Sequence, residues 1–259
     1  MGDDAVLARR QGLLTGERTA PGIDQEGYWF PRHQAAYAWA AGRFTPVPRV
    51  LDAGSGEGYG TRDLGRVCGY ACGLELDAVA CRHAALTYPG CGFIRANLVQ
   101  LPLRSSAFDL AVSMQVVEHI WDVPAYLNEI ARVLVPGGIA CISTPNRPVF
   151  SPGLQRGQRP TNPFHVEEFD ADQLAELMRG AGLVEVEIHG LGHGDRIAHW
   201  EAQHGSLVPA LVGRVSGSPG PPGMDAFVAT LQDRDFRVEP LTDLPELAVH
   251  DLIAVGRAP

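Results

Sequence analysis

A chain of 259 residues with 45% apolar and 20% charged side chains is long enough to bury a full core, as one large domain or one domain with a cap. Its 21 basic residues are all arginine, which excludes P-loop NTPases and pyridoxal-phosphate enzymes, since both need a lysine. The 30 acidic residues leave a formal net charge of -9, so neither nucleic acid nor an anionic membrane is expected as a partner.

The N-terminal stretch MGDDAVLARRQG carries acids where a secretory signal carries basic residues, and Val6 stands where a myristoylation signal wants Ser or Thr. No later apolar run is long enough to span a bilayer. A cytoplasmic protein is expected. Residues 1–45 precede the first strand and read as an N-terminal cap. From there, RVLDAG (49–54), YACGLEL (70–76), CGFIRA (91–96), FDLAVSM (108–114) and GIACIST (138–144) read as buried strands. Between them YGTRDLGRV, DAVACRHAALTY and DVPAYLNEIARVL repeat apolar residues at helical spacing. Asp170 with Gln173 resembles a helix N-cap, DQLAELMR continues that helix, and Gly180 and Gly182 end it before LVEVEIHGL. SGSPGPPG (216–223) can only be a loop, and DLIAVGR (251–257) is a last strand.

Strands alternating with helices predict right-handed βαβ units and a doubly wound, mostly parallel α/β sheet covered on both faces. The core spans 46–190, a cap insertion 191–246, and the last strand 247–259. The five cysteines are odd in number and form no CxxC pair, so buried thiols and no disulfide are expected.

In such a sheet the first strand-to-helix turn is the expected ligand cradle. Here it reads Asp52-Ala-Gly54-Ser-Gly56-Glu-Gly58-Tyr-Gly60. No three glycines fall at relative positions 0, 2 and 5, so the dinucleotide fingerprint is missing. Asp52 and Glu57 would repel a pyrophosphate at the helix N-terminus but suit a cationic ligand such as a sulfonium nucleoside. Glu75, 21 residues past Gly54, ends the second strand where an acid can accept from both ribose hydroxyls.

VLDAGSGEGYG, GLELD, ANLVQLPLRSSAFDLAVSMQVVEHI and EIARVLVPGG resemble the class I S-adenosylmethionine-dependent methyltransferases, over roughly residues 46–190 and 250–257. The resemblance implies a seven-stranded sheet whose last strand is antiparallel, with S-adenosyl-L-methionine as cofactor. It implies Asp52, Gly54, Gly56 and Gly58 around the methionine part, Glu75 on the ribose, Asn97 and Leu98 by the adenine, and Gln115 near the sulfonium. Ser55, Tyr59 and Leu76 complete the candidate donor set. LTGERTAPGIDQEGYWFPRHQAAY, STPNRPVFSPG, NPFHVEEF and GLGHGDR resemble a narrower actinobacterial group linked to polymethylated polysaccharides of the methylglucose lipopolysaccharide type. That resemblance implies a sugar or oligosaccharide acceptor.

Methyl transfer to a hydroxyl needs a base to take its proton, and His is the usual supplier. His119, after the fourth strand, is the first candidate base and His165 the second, while Glu118 could orient His119 or bind sugar hydroxyls. Tyr28, Trp29, Phe30, Arg32 and His33 could form a lid, with Arg32 pairing the donor's carboxylate. Arg147, Arg156 and Arg159 could bind a polar acceptor. His189, His193, His199 and His204 cluster in sequence near Asp195 but show no structural-zinc spacing, and a transfer without metal is expected. The expected function is O-methylation of a sugar hydroxyl on an oligosaccharide precursor, with an oligomer possible. The alternatives are O- or N-methylation of another natural product, a non-catalytic nucleoside-binding protein, and a nicotinamide oxidoreductase.

Overall fold

The structure, a computed structural model, describes residues 19, 27–160, 162–215, 217–243 and 248–259. The reading of the first residues, Val6 included, lies outside them. In chain order the elements are α1 (Trp29–Phe44), β1 (Arg49–Ala53), α2 (Tyr59–Gly65), β2 (Tyr70–Glu75), α3 (Ala78–Thr87), β3 (Gly92–Arg95) and β4 (Phe108–Met114). A 3-10 turn (Val117–His119) leads to α4 (Val123–Val133), β5 (Leu134–Pro145), α5 (Arg147–Phe150), α6 (Ala171–Gly180) and β6 (Val184–His193). Then come α7 (Asp195–His204), α8 (Leu207–Val215), α9 (Met224–Val228), β7 (Phe236–Pro240) and β8 (Val249–Arg257).

The strands form one sheet in the order β3-β2-β1-β4-β5-β8-β6-β7. Neighbours from β3 to β5 pair in parallel, and β8 lies antiparallel between β5 and β6. The antiparallel last strand agrees with the expectation, but the sheet has eight strands instead of seven. The eighth is β7, from within 191–246, which pairs antiparallel with His189–His193 of β6. The sheet is therefore mixed.

Strand alternation explains how the sheet is covered on both sides. Leu51 and Ala53 of β1, Ala111 of β4 and Leu252 and Ala254 of β8 enter one core with Tyr126, Leu127 and Ile130 of α4 and Leu174 and Met178 of α6. Val50, Leu110, Val112, Ile253 and Val255 enter the other, against α1, Leu64 of α2, and Ile197, Leu207 and Met224 of α7 to α9. Helix starts follow the local chemistry: the Asp77, Asp122 and Asp170 side chains each accept from a backbone N–H in the first turn that follows. Gly182, at φ +83, turns the chain out of α6 into β6. No helix among the described residues is long and apolar enough to cross a membrane.

Gly190 of β6 faces Leu252 of β8, and a Cβ there would come within 2.6 Å of Val249 Cγ2. Gly190→Ala is expected to overpack this seam and cost about 1–3 kcal/mol. Thermal unfolding should show a Tm lowered by several degrees.

Candidate active site

The chain runs outward from β1 through β2 to β3, then returns to β4 on the other side of β1. The order reverses beyond the carboxyl ends of β1 and β4, the place where sheets of this kind bind ligands. The glycine loop meets Gln115 and the 3-10 turn there.

Gly54, Gly56 and Gly58 have φ of +85°, +52° and +82°, a region that favours glycine. Space adds a second constraint: a Cβ on Gly54 would lie 2.4 Å from Val116 Cγ2, and one on Gly58 2.7 Å from Ala84 Cβ. The backbone N–H groups of Gly54 and Ser55 both donate to Leu74 O, which folds the loop back against the end of β2. Glu75 completes the lock, accepting from Gly56 N–H at 2.9 Å and Asp77 N–H at 2.8 Å, one on each carboxylate oxygen. Each oxygen keeps acceptor capacity for a ribose hydroxyl. Beyond it Leu76 is 59% exposed, an apolar surface open to a flat ring. Asn97 is exposed and accepts from Val99 N–H, and Leu98 is buried beside it. Ser55 and Tyr59 are buried, and the Ser55 hydroxyl has no hydrogen-bond partner among the described residues.

Two expected ligand contacts are placed differently. Asp52 is fully buried beneath the loop and accepts from the Tyr37 hydroxyl at 2.9 Å and the Thr61 hydroxyl at 2.6 Å. It ties α1 and α2 to β1 and presents no surface to the crevice. Arg32 is no exposed lid residue: it is buried, with Nε 3.1 Å from Asp251 and Nη2 donating to Gln115 Oε1 at 3.2 Å. Its guanidinium lies 4.9 Å from the Trp29 ring centroid and 5.2 Å from that of Phe150. Arg32 is thus engaged within the protein, by Asp251 and Gln115 and by the surrounding rings. Tyr28 is packed edge-on against Trp29, His193 and Phe236, and belongs to the core.

His119 and His165 are brought together, with ring centroids 5.1 Å apart. The cause is a backbone staple, in which Val166 N–H donates to Glu118 O at 2.7 Å and His119 Nδ1 lies 2.9 Å from Phe164 O. The carbonyl accepts from Nδ1–H, and His119 Nε2 carries no hydrogen bond among the described residues. His165 Nδ1 lies 2.8 Å from Oε1 of the buried Glu168, and its Nε2 is 3.0 Å from Asn162 Nδ2. Glu118 is neither a solvated acid nor the group orienting His119. It is buried and accepts from the Thr144 hydroxyl at 3.0 Å. Burial raises its carboxyl above the usual range, against the opposing pull of the His119 and His165 imidazoles. Glu118, His119 and His165 each offer one ligand atom, all within 4.8 Å of one another.

The sequence reading missed Glu168, Asn162 and Thr144. Only the three-residue spacing of His165 and Glu168 hinted at a pair. Arg147, expected to meet an acceptor, is buried and bonds Glu168 O, Gln173 and Asp170, while Arg156 pairs with Glu176 at the surface. The four clustered histidines do not converge. His193 bonds Tyr28 and Glu201 and stacks on His250, His189 packs on Trp39, and His199 and His204 bond within α7.

Burial raises the Asp52 carboxyl to about 6, against the Thr61 and Tyr37 hydrogen bonds. The native protein holds this proton more tightly than the unfolded chain, so the contribution is fully present below about pH 4 and lost as pH rises through about 6. The stability deficit of Asp52→Asn relative to the wild type is expected to shrink across that window by about 1.4 kcal/mol per pH unit. Urea melts at a series of pH values measure it.

Residues 51–142 match the family described as a methyltransferase domain. A Mycobacterium tuberculosis protein named "Probable S-adenosylmethionine-dependent methyltransferase" is 43% identical over 227 residues, 87% of this chain and 81% of its own. A Mycolicibacterium smegmatis protein with that designation is 39% identical over 248 residues, 95% of each chain. A ubiquinone biosynthesis O-methyltransferase of Rhodopseudomonas palustris is 29% identical over 155 residues, 55% of this chain and 61% of its own. Among solved structures, a SAM-dependent methyltransferase of Thermotoga maritima superposes with a TM-score of 0.60 at 19% identity, covering 89% of this chain and 93% of its own. Identity of this extent, along most of both chains, assigns the family: the chain belongs to the S-adenosylmethionine-dependent methyltransferases and is an enzyme with S-adenosyl-L-methionine as its cofactor.

Proposed function

We propose that the enzyme methylates a hydroxyl oxygen of a sugar in an oligosaccharide or polysaccharide precursor, with His119 taking the hydroxyl proton. The observation that carries this reading is the His119 imidazole, pinned through Nδ1 to Phe164 O with Nε2 open, beside the cradle between β1 and β4. Relatives that methylate oxygen, by their name, support an oxygen acceptor. The likeness of the flanking segments NPFHVEEF and STPNRPVFSPG to polysaccharide-modifying enzymes supports a sugar.

The residues of the cradle fit the cofactor. The positive φ of Gly54, Gly56 and Gly58 shapes the loop that would hold its methionine arm, and the Glu75 carboxylate suits a ribose diol. When bound, the cofactor supplies a methyl group on a positively charged sulfur. The chain's task is to hold the acceptor oxygen in line behind that carbon and remove its proton, so that the O–C bond forms as the S–C bond breaks. Orientation alone can contribute about 7–11 kcal/mol. His119 Nε2 accepts the proton, and His165, fixed by Glu168, borders the same space.

His119→Ala is expected to lower kcat by about 10²–10⁴ while the dissociation constant for adenosylhomocysteine stays within about twofold of the wild type. The assay is methyl transfer from labelled donor to panels of mannosides, glucosides and aromatic alcohols. Transfer to the aromatic panel alone refutes the sugar assignment.

The clustering of Glu118, His119 and His165 favours a second reading, in which two imidazoles and a carboxylate hold a divalent cation that binds the acceptor hydroxyls and lowers their pKa. Dialysis against a chelator distinguishes the two. Under the first reading kcat is unchanged; under the second it is lost and returns with added Mg²⁺, Mn²⁺ or Zn²⁺.

A further inference from the structure

Trp121 is 89% exposed, more than any other large apolar side chain among the described residues, whereas Trp200 is 8% exposed. Large aromatics usually gain by burial, so an indole left in water beside a reaction centre is the kind of surface a ligand covers. Its position is fixed from both sides. Two residues before it, His119 ends the 3-10 turn. One residue after it, Asp122 caps α4 by accepting from Ala125 N–H at 3.0 Å. Ile120 between them has extended dihedrals of -91° and 126° and packs against the core. Ile120 turns inward, while the neighbouring Trp121 is left exposed two residues along the chain from His119. Phe164 is 39% exposed, and its carbonyl is the group that pins His119. Two exposed aromatic residues are thus tied to His119, Trp121 by two positions of chain and Phe164 by its carbonyl.

We infer that Trp121, with Phe164, forms the acceptor subsite, laying its indole face against the apolar C–H face of the pyranose that presents its hydroxyl to His119. This rests on the sugar reading above. A pyranose has one face lined by C–H bonds and a rim of hydroxyls. A flat, rigid ring covers the first and leaves the rim free for Nε2 and the polar groups around it. The subsite is a positioning element and takes no proton. Its effect is on acceptor binding, with the donor half of the crevice untouched.

The test uses the full-length enzyme and the methyl α-D-mannopyranosides or glucopyranosides to which the wild type transfers label. Trp121→Ala is expected to raise the KM for the glycoside roughly tenfold, with the KM for S-adenosylmethionine, kcat at saturating glycoside and Tm close to the wild type. Trp121→Phe should restore most of the loss, because a smaller aromatic face remains. Glycoside titration should shift the tryptophan emission of the wild type to shorter wavelength and leave that of Trp121→Phe unmoved. An unchanged glycoside KM in Trp121→Ala overturns the subsite while leaving the sugar reading intact. So does an unchanged KM with an altered gel-filtration volume, which would make Trp121 a contact between copies. A wild type that labels no glycoside removes the sugar reading and the subsite with it.

Discussion

One carboxyl group without access to water organises the glycine-loop side of this enzyme. Asp52 ends up beneath the glycine loop because β1 must place its even-numbered positions toward α1, and it receives hydroxyl hydrogen bonds from Tyr37 of α1 and Thr61 of α2. Desolvating a carboxyl is costly, and the two hydroxyls offset that cost only while both helices are seated. The helix ahead of the sheet is thereby coupled to the glycine loop. Gly60 belongs to the same arrangement, since a Cβ there would run into the Tyr37 ring.

The second organising contact is the staple between Glu118 and Val166. It draws the segment after α5 onto the 3-10 turn, so that imidazoles 46 positions apart in the chain share one space. Each imidazole has its Nδ1 anchored on a different partner, a backbone carbonyl for His119 and a buried carboxylate for His165. Anchoring Nδ1 sets the ring orientation of each, and the second nitrogen of His165 is held by Asn162 as well. The glycine-loop side and the imidazole side are joined by the segment at Gln115, whose φ of +58° lets its side chain reach back to Arg32 and Ser143.

The parallel strands could be read from the amino-acid order because they are buried on both faces and appear as unbroken apolar runs. β7 could not: FRVEP is five residues long, two of them charged and the last a proline, and only its pairing with β6 makes it a strand. The glycine loop and Glu75 were legible for a similar reason, since their conformations are set within a few residues of the motif. The roles of Arg32 and Arg147 were not. Both looked like cations awaiting a ligand, and both instead have buried partners supplied by β8 or by the start of α6. Glu168 was silent because its worth depends on His165, whose own worth depends on a contact with a distant turn.

The outer margin of the sheet is built so that it does not grow. β7 covers only the second half of β6, and the uncovered half is broken by Glu185 at φ +53° and an irregular register between Val184 and Glu187. Glu185 and Glu187 hold Arg257 and Arg43 along that rim, and Pro240 closes β7 without an amide hydrogen to offer. A neighbouring copy approaching edge to edge would find charge, a kink and a missing donor where a β-ladder needs a straight row of amides. The protein can therefore be crowded in solution without its sheets polymerising through this rim.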